Sequence, residues 1–291
     1  MMSLTQYRPR KRILLPLIAA ASLSLSACDS KDEAASNNEQ AAAQTNKAKQ
    51  EAAAAKPKVR NVSKELPAVP DFASITDVKQ KKKTFFDFLY NLVKRANREV
   101  LAERSVIESW NPDKGASQAI TDLMEKYRID EKLSPQDARS ELLKRVQVIP
   151  ASLVLAQGAN ESAWGTSRFA KQGNNYFGQW CYVKGCGLVP QQRNDGAVHE
   201  VADFDHPMDS VRSYILNLNR HYTYDDLRDL RAKEIKKQGY ATGLNLAAGL
   251  INYSERRMEY VKEIRSMISY NKLDKLDPTM LADIQGTAKE G

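Results

Sequence analysis

The residues with the clearest chemical potential lie in Ala156-Gln157-Gly158-Ala159-Asn160-Glu161-Ser162-Ala163-Trp164-Gly165. Alanine and glycine let a helix pack closely against its neighbours. A carboxylate then arrives in the last turn, one residue before a serine and three before a tryptophan. The carbonyl end of a helix carries partial negative charge and disfavours a second anion. An apolar wall from Trp164 would add desolvation. Both effects raise a carboxyl pKa, as a general acid working near neutral pH requires. The residues alone equally suit a surface glutamate beside a cap-like Ser162 and Gly165.

The elements that must hold this carboxylate follow from periodicity and capping. Phe85, Phe88, Leu89, Leu92, Val93, Ala96 and Val100 recur on one helical face. Ser134-Pro135-Gln136-Asp137 combines an N-cap serine, proline at the first helical position and an acid three residues on. A third helix runs from Pro150 through Glu161 and ends near Gly165. Helices are also expected from Ser210 to Arg220, with Val211, Tyr214, Ile215 and Leu218 inward, and from Ser254 to Ile268, with Tyr260, Ile264, Met267 and Ile268 inward. Between them, Tyr176 to Phe204 is rich in Gly, Gln and aromatic residues, with a turn at Asn194-Asp195-Gly196, and reads as a small β-hairpin lobe. The expected class is α+β, mostly helical with one β-lobe.

The N-terminus has a different plan. Arg8, Arg10, Lys11 and Arg12 precede an apolar stretch from Ile13 to Leu25, followed by Ser26, Ala27 and Cys28. A positive flank, a short apolar core and small residues before a cut describe a secretory signal peptide, residues 1–27. The apolar run is shorter than the roughly 20 residues that cross a bilayer. Leu25-Ser26-Ala27-Cys28 resembles the bacterial lipobox, which implies lipidation at Cys28, an envelope protein facing the periplasm, and a membrane held through a lipid anchor. Asp29, next to that cysteine, resembles the inner-membrane retention signal of enterobacterial lipoproteins, which implies the inner membrane. Residues 34–56 contain no large apolar side chain, so 28–71 reads as a tether that cannot offset its ordering entropy. The folded domain is expected over 72–271, with 272–291 as a polar tail.

Charge and cysteine arithmetic narrow the partners. The 291-residue chain carries Lys+Arg 44 against Asp+Glu 36, a net +8, and four of these cations precede the cut, so the mature chain keeps 8 − 4 = +4. That mild bias suits an anionic wall polymer and is too weak to indicate nucleic acid. The histidines at 199, 206 and 221 lack zinc-site spacing, so no metal and no cofactor are expected. Of three cysteines, Cys28 takes the lipid, leaving Cys181 and Cys186 to pair in an oxidising compartment. Metal binding by Cys-x4-Cys would need two more ligands, and redox pairs usually have the closer Cys-x-x-Cys spacing.

The stretch from Ala156 to Ser167, followed by Asn174-Asn175-Tyr176-Phe177-Gly178, resembles the signature of bacterial β-N-acetylglucosaminidase domains, wall-cutting domains with a lysozyme-like fold. Phe85 to Arg231 is more similar still to the Bax-like glucosaminidases of Gram-negative bacteria. Ala102-Glu103-Arg104, Arg145-Val146, Ile149-Pro150, the Cys181 to Cys186 loop, Ser213-Tyr214 and Asn217-Leu218-Asn219 carry that likeness. It implies a monomeric hydrolase of peptidoglycan glycan strands, with Glu161 as general acid. It implies that Tyr260, after Gly239-Tyr240-Ala241, lines the cleft, and that Trp164, Tyr176, Phe177 and Tyr240 contact substrate. By spacing alone Tyr260 is equally a core aromatic beside Ile264 and Ile268.

The second carboxylate of such domains departs from the pattern. Pro190-Gln191-Gln192-Arg193-Asn194-Asp195-Gly196 has Gln192 where an acid is expected, and Asp195, Glu200 and Asp203 do not fit the spacing. A missing second acid favours attack by the substrate's own 2-acetamido oxygen, and it also permits a domain that binds without turnover. A muramidase or lytic transglycosylase is the other alternative, although Asn-Asn-Tyr-Phe-Gly stands in place of its usual Gly-Leu-Met-Gln element.

Overall fold

A computed structural model describes residues 66–191 and 198–286. The expected signal peptide, Cys28, Asp29 and most of the expected tether lie outside the described residues, as do Gln192 and the turn expected at Asn194-Asp195-Gly196. Among the described residues no helix is long and apolar enough to cross a membrane.

Asp77 opens α1 (Val78–Ser109) by accepting the Gln80 N–H at 2.6 Å. The apolar stripe of α1, from Phe85 to Val100, is buried as its spacing predicts. Ser117 caps α2 (Gln118–Lys126), and Ser134 caps α3 (Pro135–Arg145) through the Asp137 N–H at 3.2 Å. The next helix, α4 (Ala151–Glu161), is the centre of the fold: every residue from Ala151 to Ala159 is buried. Its entry is fixed by buried Asn97, whose side chain accepts from Ile149 N–H at 3.0 Å and donates to Ile149 C=O at 2.9 Å. After α5 (Arg168–Gly173) come three short strands, β1 (Trp180–Cys181), β2 (Gly187–Leu188) and β3 (Glu200–Ala202). They form an antiparallel sheet of order β1-β3-β2, with Trp180 opposite Val201 and Gly187 opposite Ala202. Then follow α6 (Pro207–Arg220), α7 (Asp225–Gln238), α8 (Gly243–Leu246), α9 (Met258–Tyr270) and α10 (Leu276–Gly286). Helices α1, α8, α9 and α10 all pack on α4. The architecture is a mostly helical, lysozyme-like α+β fold with one small sheet.

Three expectations need correction. Residues 272–286 are not a polar tail: a 3₁₀ turn at Leu273–Lys275 leads into α10, and Leu273, Asp277, Met280 and Ile284 are buried. These four recur at helical spacing, but one is an acid, so no apolar stripe shows in the sequence. Buried Asp277 accepts from Ser152 N–H (2.8 Å), Ser152 Oγ (2.7 Å) and Gly243 N–H (2.9 Å), capping α4 and α8 together. The helix expected from Ser254 starts only at Met258, because Arg257 takes a left-handed φ of 50°. Ordered chain also begins before Phe72, with Pro67 C=O 3.0 Å from His206 Nε2.

Candidate active site

Glu161 is the last residue of α4. Ser162 follows as the cap residue, its Oγ donating to Gly158 C=O (2.6 Å) and accepting from Gly165 N–H (2.8 Å). Ala163, Trp164 and Gly165 then have φ of 48°, 59° and 78°. Two consecutive non-glycine residues in the left-handed region cost roughly 1–2 kcal/mol each, and such strain tends to collect at functional sites. Only glycine fits at 165: a Cβ there would lie 2.4 Å from the Phe72 ring.

The Glu161 carboxyl faces aromatic groups. Tyr260 Oη donates to Oε1 at 2.7 Å, and Asn160 Nδ2 approaches the same oxygen at 3.5 Å. Tyr260 Oη in turn accepts from Gln157 Nε2 at 2.9 Å, and Gln157 Oε1 accepts from the Tyr214 hydroxyl. Tyr253 stacks on Tyr260 at 5.4 Å, and Phe177 stacks on Tyr214 at 4.1 Å. Burial pushes the Glu161 pKa up. The hydrogen bonds from Tyr260 and Asn160 oppose that rise, Glu263 adds to it, and Arg256 reduces it. Tyr260 is likewise raised, by burial and by the carboxylate beside it.

On the other side stands the segment Asn174-Asn175-Tyr176-Phe177-Gly178. Asn174 is left-handed (φ 48°) and donates to the Phe204 and Asp205 carbonyls at 2.9 and 3.0 Å. Asn175 is buried; it donates to the Gln179 and Ala202 carbonyls and accepts from the Phe177 and Gln179 N–H groups. This wiring brings Gly178 (φ 63°) over the carboxyl, where a Cβ would stand 4.0 Å from Glu161 Oε2. Tyr253 Oη donates to Phe177 C=O at 2.8 Å and ties the segment to α9's aromatic layer. Beyond Tyr253 opens a groove of about 880 Å³, lined by Tyr222, Asn252, Tyr253 and Arg257 among others, with the Tyr222 side chain exposed.

Residues 136–273 match the Glucosaminidase family, described as mannosyl-glycoprotein endo-beta-N-acetylglucosaminidase. The chain is also 29% identical over 214 residues to Protein bax of Escherichia coli (strain K12), covering 70% of this chain and 75% of that protein. Residues 136–273 form a glucosaminidase domain, in a chain similar to Protein bax. The domain is that of a glycoside hydrolase-type enzyme. No solved structure matches the chain significantly.

Within the glucosaminidase domain the expected site residues separate. Glu161 and Tyr260 meet directly. Trp164 instead leans on Phe85 and Phe86, with Lys82 Nζ 5.0 Å from its ring centre. The aromatic surroundings of Glu161 come from Tyr260 and Tyr253. Tyr176 and Phe177 are buried, at 1% and 2% exposure, and offer no face to a substrate. Asn175 turns the chain so that both rings enter the core, against Phe85 and Tyr214. Tyr240 lines a separate cavity of about 150 Å³ with Pro150 and Asp277, at the opposite end of α4.

Cys181 and Cys186 form a disulfide. A Glu200 oxygen lies near both sulfurs, but sulfurs bonded to each other are not thiolate ligands. Buried Glu200 instead accepts from Gly185 N–H (3.0 Å) and Gly187 N–H (2.9 Å), which explains an acid inside the β-lobe. Gln157, Tyr214 and Tyr253 were absent from the sequence-based site. Gln157 carried a signal: it is a lone amide in an apolar run, four residues before Glu161 and so on the same helix face. Tyr253 carried none.

Proposed function

We propose that the domain is an endo-β-N-acetylglucosaminidase of peptidoglycan in which Glu161 is the general acid. The observation that carries this is a carboxyl at a helix end, desolvated by tyrosines, with its pKa raised. Such a group stays protonated long enough to give its proton to a leaving glycosidic oxygen. Glu200 is occupied by two backbone N–H groups and is poorly suited to be a second catalytic acid or base. That supports attack by the substrate's acetamide oxygen on the anomeric carbon, which only a 2-acetamido sugar provides. The groove beyond Tyr253 is roomy enough for neighbouring sugar units, and Tyr222 offers a ring face for stacking.

The test is digestion of purified sacculi with the soluble domain, followed by mass spectrometry of the fragments. Reducing GlcNAc ends are expected. Anhydro-MurNAc ends would mean a transglycosylase, and an absence of products would mean a wall-binding protein. The same reading has the protein tethered at Cys28, facing the periplasm. Cys28→Ala should then abolish palmitate labelling, and unchanged labelling would remove the anchor.

A further inference from the structure

The hydrogen bonds around Glu161 run in one direction. Tyr214 donates to Gln157 Oε1, Gln157 Nε2 donates to Tyr260 Oη (2.9 Å), and Tyr260 donates to Glu161 Oε1 (2.7 Å). Each member has one way to satisfy its neighbours. A phenol that gives its only proton to the carboxyl must accept from the amide, and the amide then presents its oxygen to Tyr214. Gln157 and Tyr214 are fully buried, so water cannot substitute for either partner. Asn160 also approaches Oε1, whereas Oε2 lies on the side of Gly178, where the backbone bears no side chain.

We propose that Gln157 and Tyr214 are positioning residues that act through Tyr260, reserving Oε1 of Glu161 as an acceptor so that Oε2 carries the transferable proton. The inference rests on Glu161 being the proton donor. In the transfer, the substrate's acetamide oxygen bonds to the anomeric carbon as the C–O bond to the leaving group breaks; the electron pair of that bond goes to the leaving oxygen, which takes the proton from Oε2. Glu161 is left as a carboxylate. The donors converging on Oε1 stabilise that new charge, and they do so without reorganising because packing has already aimed them.

The other groups that act on the carboxyl are Asn160 beside it, and Glu263 on α9 with Arg256 just before it, which pair with each other; Tyr253, stacked on Tyr260, completes the surroundings. None of them intervenes between Tyr260 and Oε1, so the relay can be cut alone.

The experiment follows Glu161 by carbon-13 NMR of labelled glutamate carboxyls across pH, assigned with Glu161→Gln, alongside the pH profile of kcat on glycan. Tyr260→Phe should raise the Glu161 titration midpoint, move the alkaline limb of kcat to higher pH, and lower kcat by about tenfold or more. Tyr214→Phe, which deletes one oxygen and should keep the fold, should move both readouts the same way by less. Tyr214→Phe combined with Tyr260→Phe should go no further than Tyr260→Phe alone, since a severed relay has nothing left to transmit. Shifts that add in the double variant, or a Tyr214→Phe protein that titrates like wild type, overturn the relay. A loss of kcat with an unmoved limb reduces these residues to packing. Because the titration is read without turnover, the two readings fail separately. An expected titration pattern with an active Glu161→Gln enzyme leaves the relay standing and removes Glu161, with the role of Oε2, from catalysis.

Discussion

The helical region around α4 and the β-lobe hold their buried acids by opposite means. In the helical region Asp277 reaches across 125 residues to cap Ser152, and Glu161 sits at the other end of the same helix under a layer of tyrosines. The order there comes from packing on all sides of α4. The β-lobe has strands of two or three residues and little apolar interior, so Glu200 and the Cys181–Cys186 bond do the holding. A lobe too small to bury its own core relies on local ties, as small domains do. The carboxyl that we propose as the general acid is therefore anchored in the well-packed region, and the β-lobe has ties of its own.

The sharpest way to break this contrast is at Glu161. Glu161→Gln keeps shape and removes the proton; if general-acid help is worth 10²–10⁴-fold, activity on sacculi should fall by at least about 3 kcal/mol of transition-state stabilisation. Circular dichroism should be unchanged, because packing rather than this charge orders the helix end. Full activity would remove Glu161 from the mechanism.

Next in size is the cap at the far end of α4. Asp277→Ala leaves three buried donors without an acceptor and should cost about 3 kcal/mol or more in urea unfolding. The pH dependence has a defined sign. Burial outweighs the three hydrogen bonds and pushes the Asp277 pKa from 3.8 to about 6. Its folded pKa lies above the unfolded one, so its favourable contribution is complete below about pH 4 and is lost as pH rises through 6. Wild type should therefore lose about 3 kcal/mol relative to Asp277→Asn between these limits. A pH-independent difference between the two proteins would show that the donors hold the carboxyl near its ordinary pKa.

The smallest effect belongs to the β-lobe. Reducing Cys181–Cys186 opens a very short loop worth about 2 kcal/mol. Hydrogen exchange should accelerate at Gly185 and Gly187, whose N–H groups depend on Glu200, while α4 keeps its protection. If α4 loosens equally, the two regions are one cooperative unit and the contrast is false.

Much of this was legible in the residues, for identifiable reasons. The α1 stripe and the Ser134 cap announce themselves because each uses one residue type for one job. Glu161 and Tyr260 surfaced through their motif context. Helix α7 did not, because its inner face is built on Arg228 and Arg231. Arg231 donates to the carbonyls of Lys144, Arg145, Gln147 and Val148, so charged residues occupy positions where apolar ones would have marked a helix. α10 was missed for the related reason that Asp277 interrupts its buried face. Tyr176 and Phe177 were misread because a sequence shows that aromatic residues follow Asn174-Asn175 but not which way the turn sends them.

The cap on α4 also imposes an order in time. Ser152 N–H and Oγ find their acceptor only after 125 further residues have been made, which at roughly 5–20 residues per second takes on the order of ten seconds. Until then the helix that presents Glu161 has an unsealed end and lacks the α10 surface that packs on it. The helix that presents Glu161 is therefore sealed only by the last helix of the described chain.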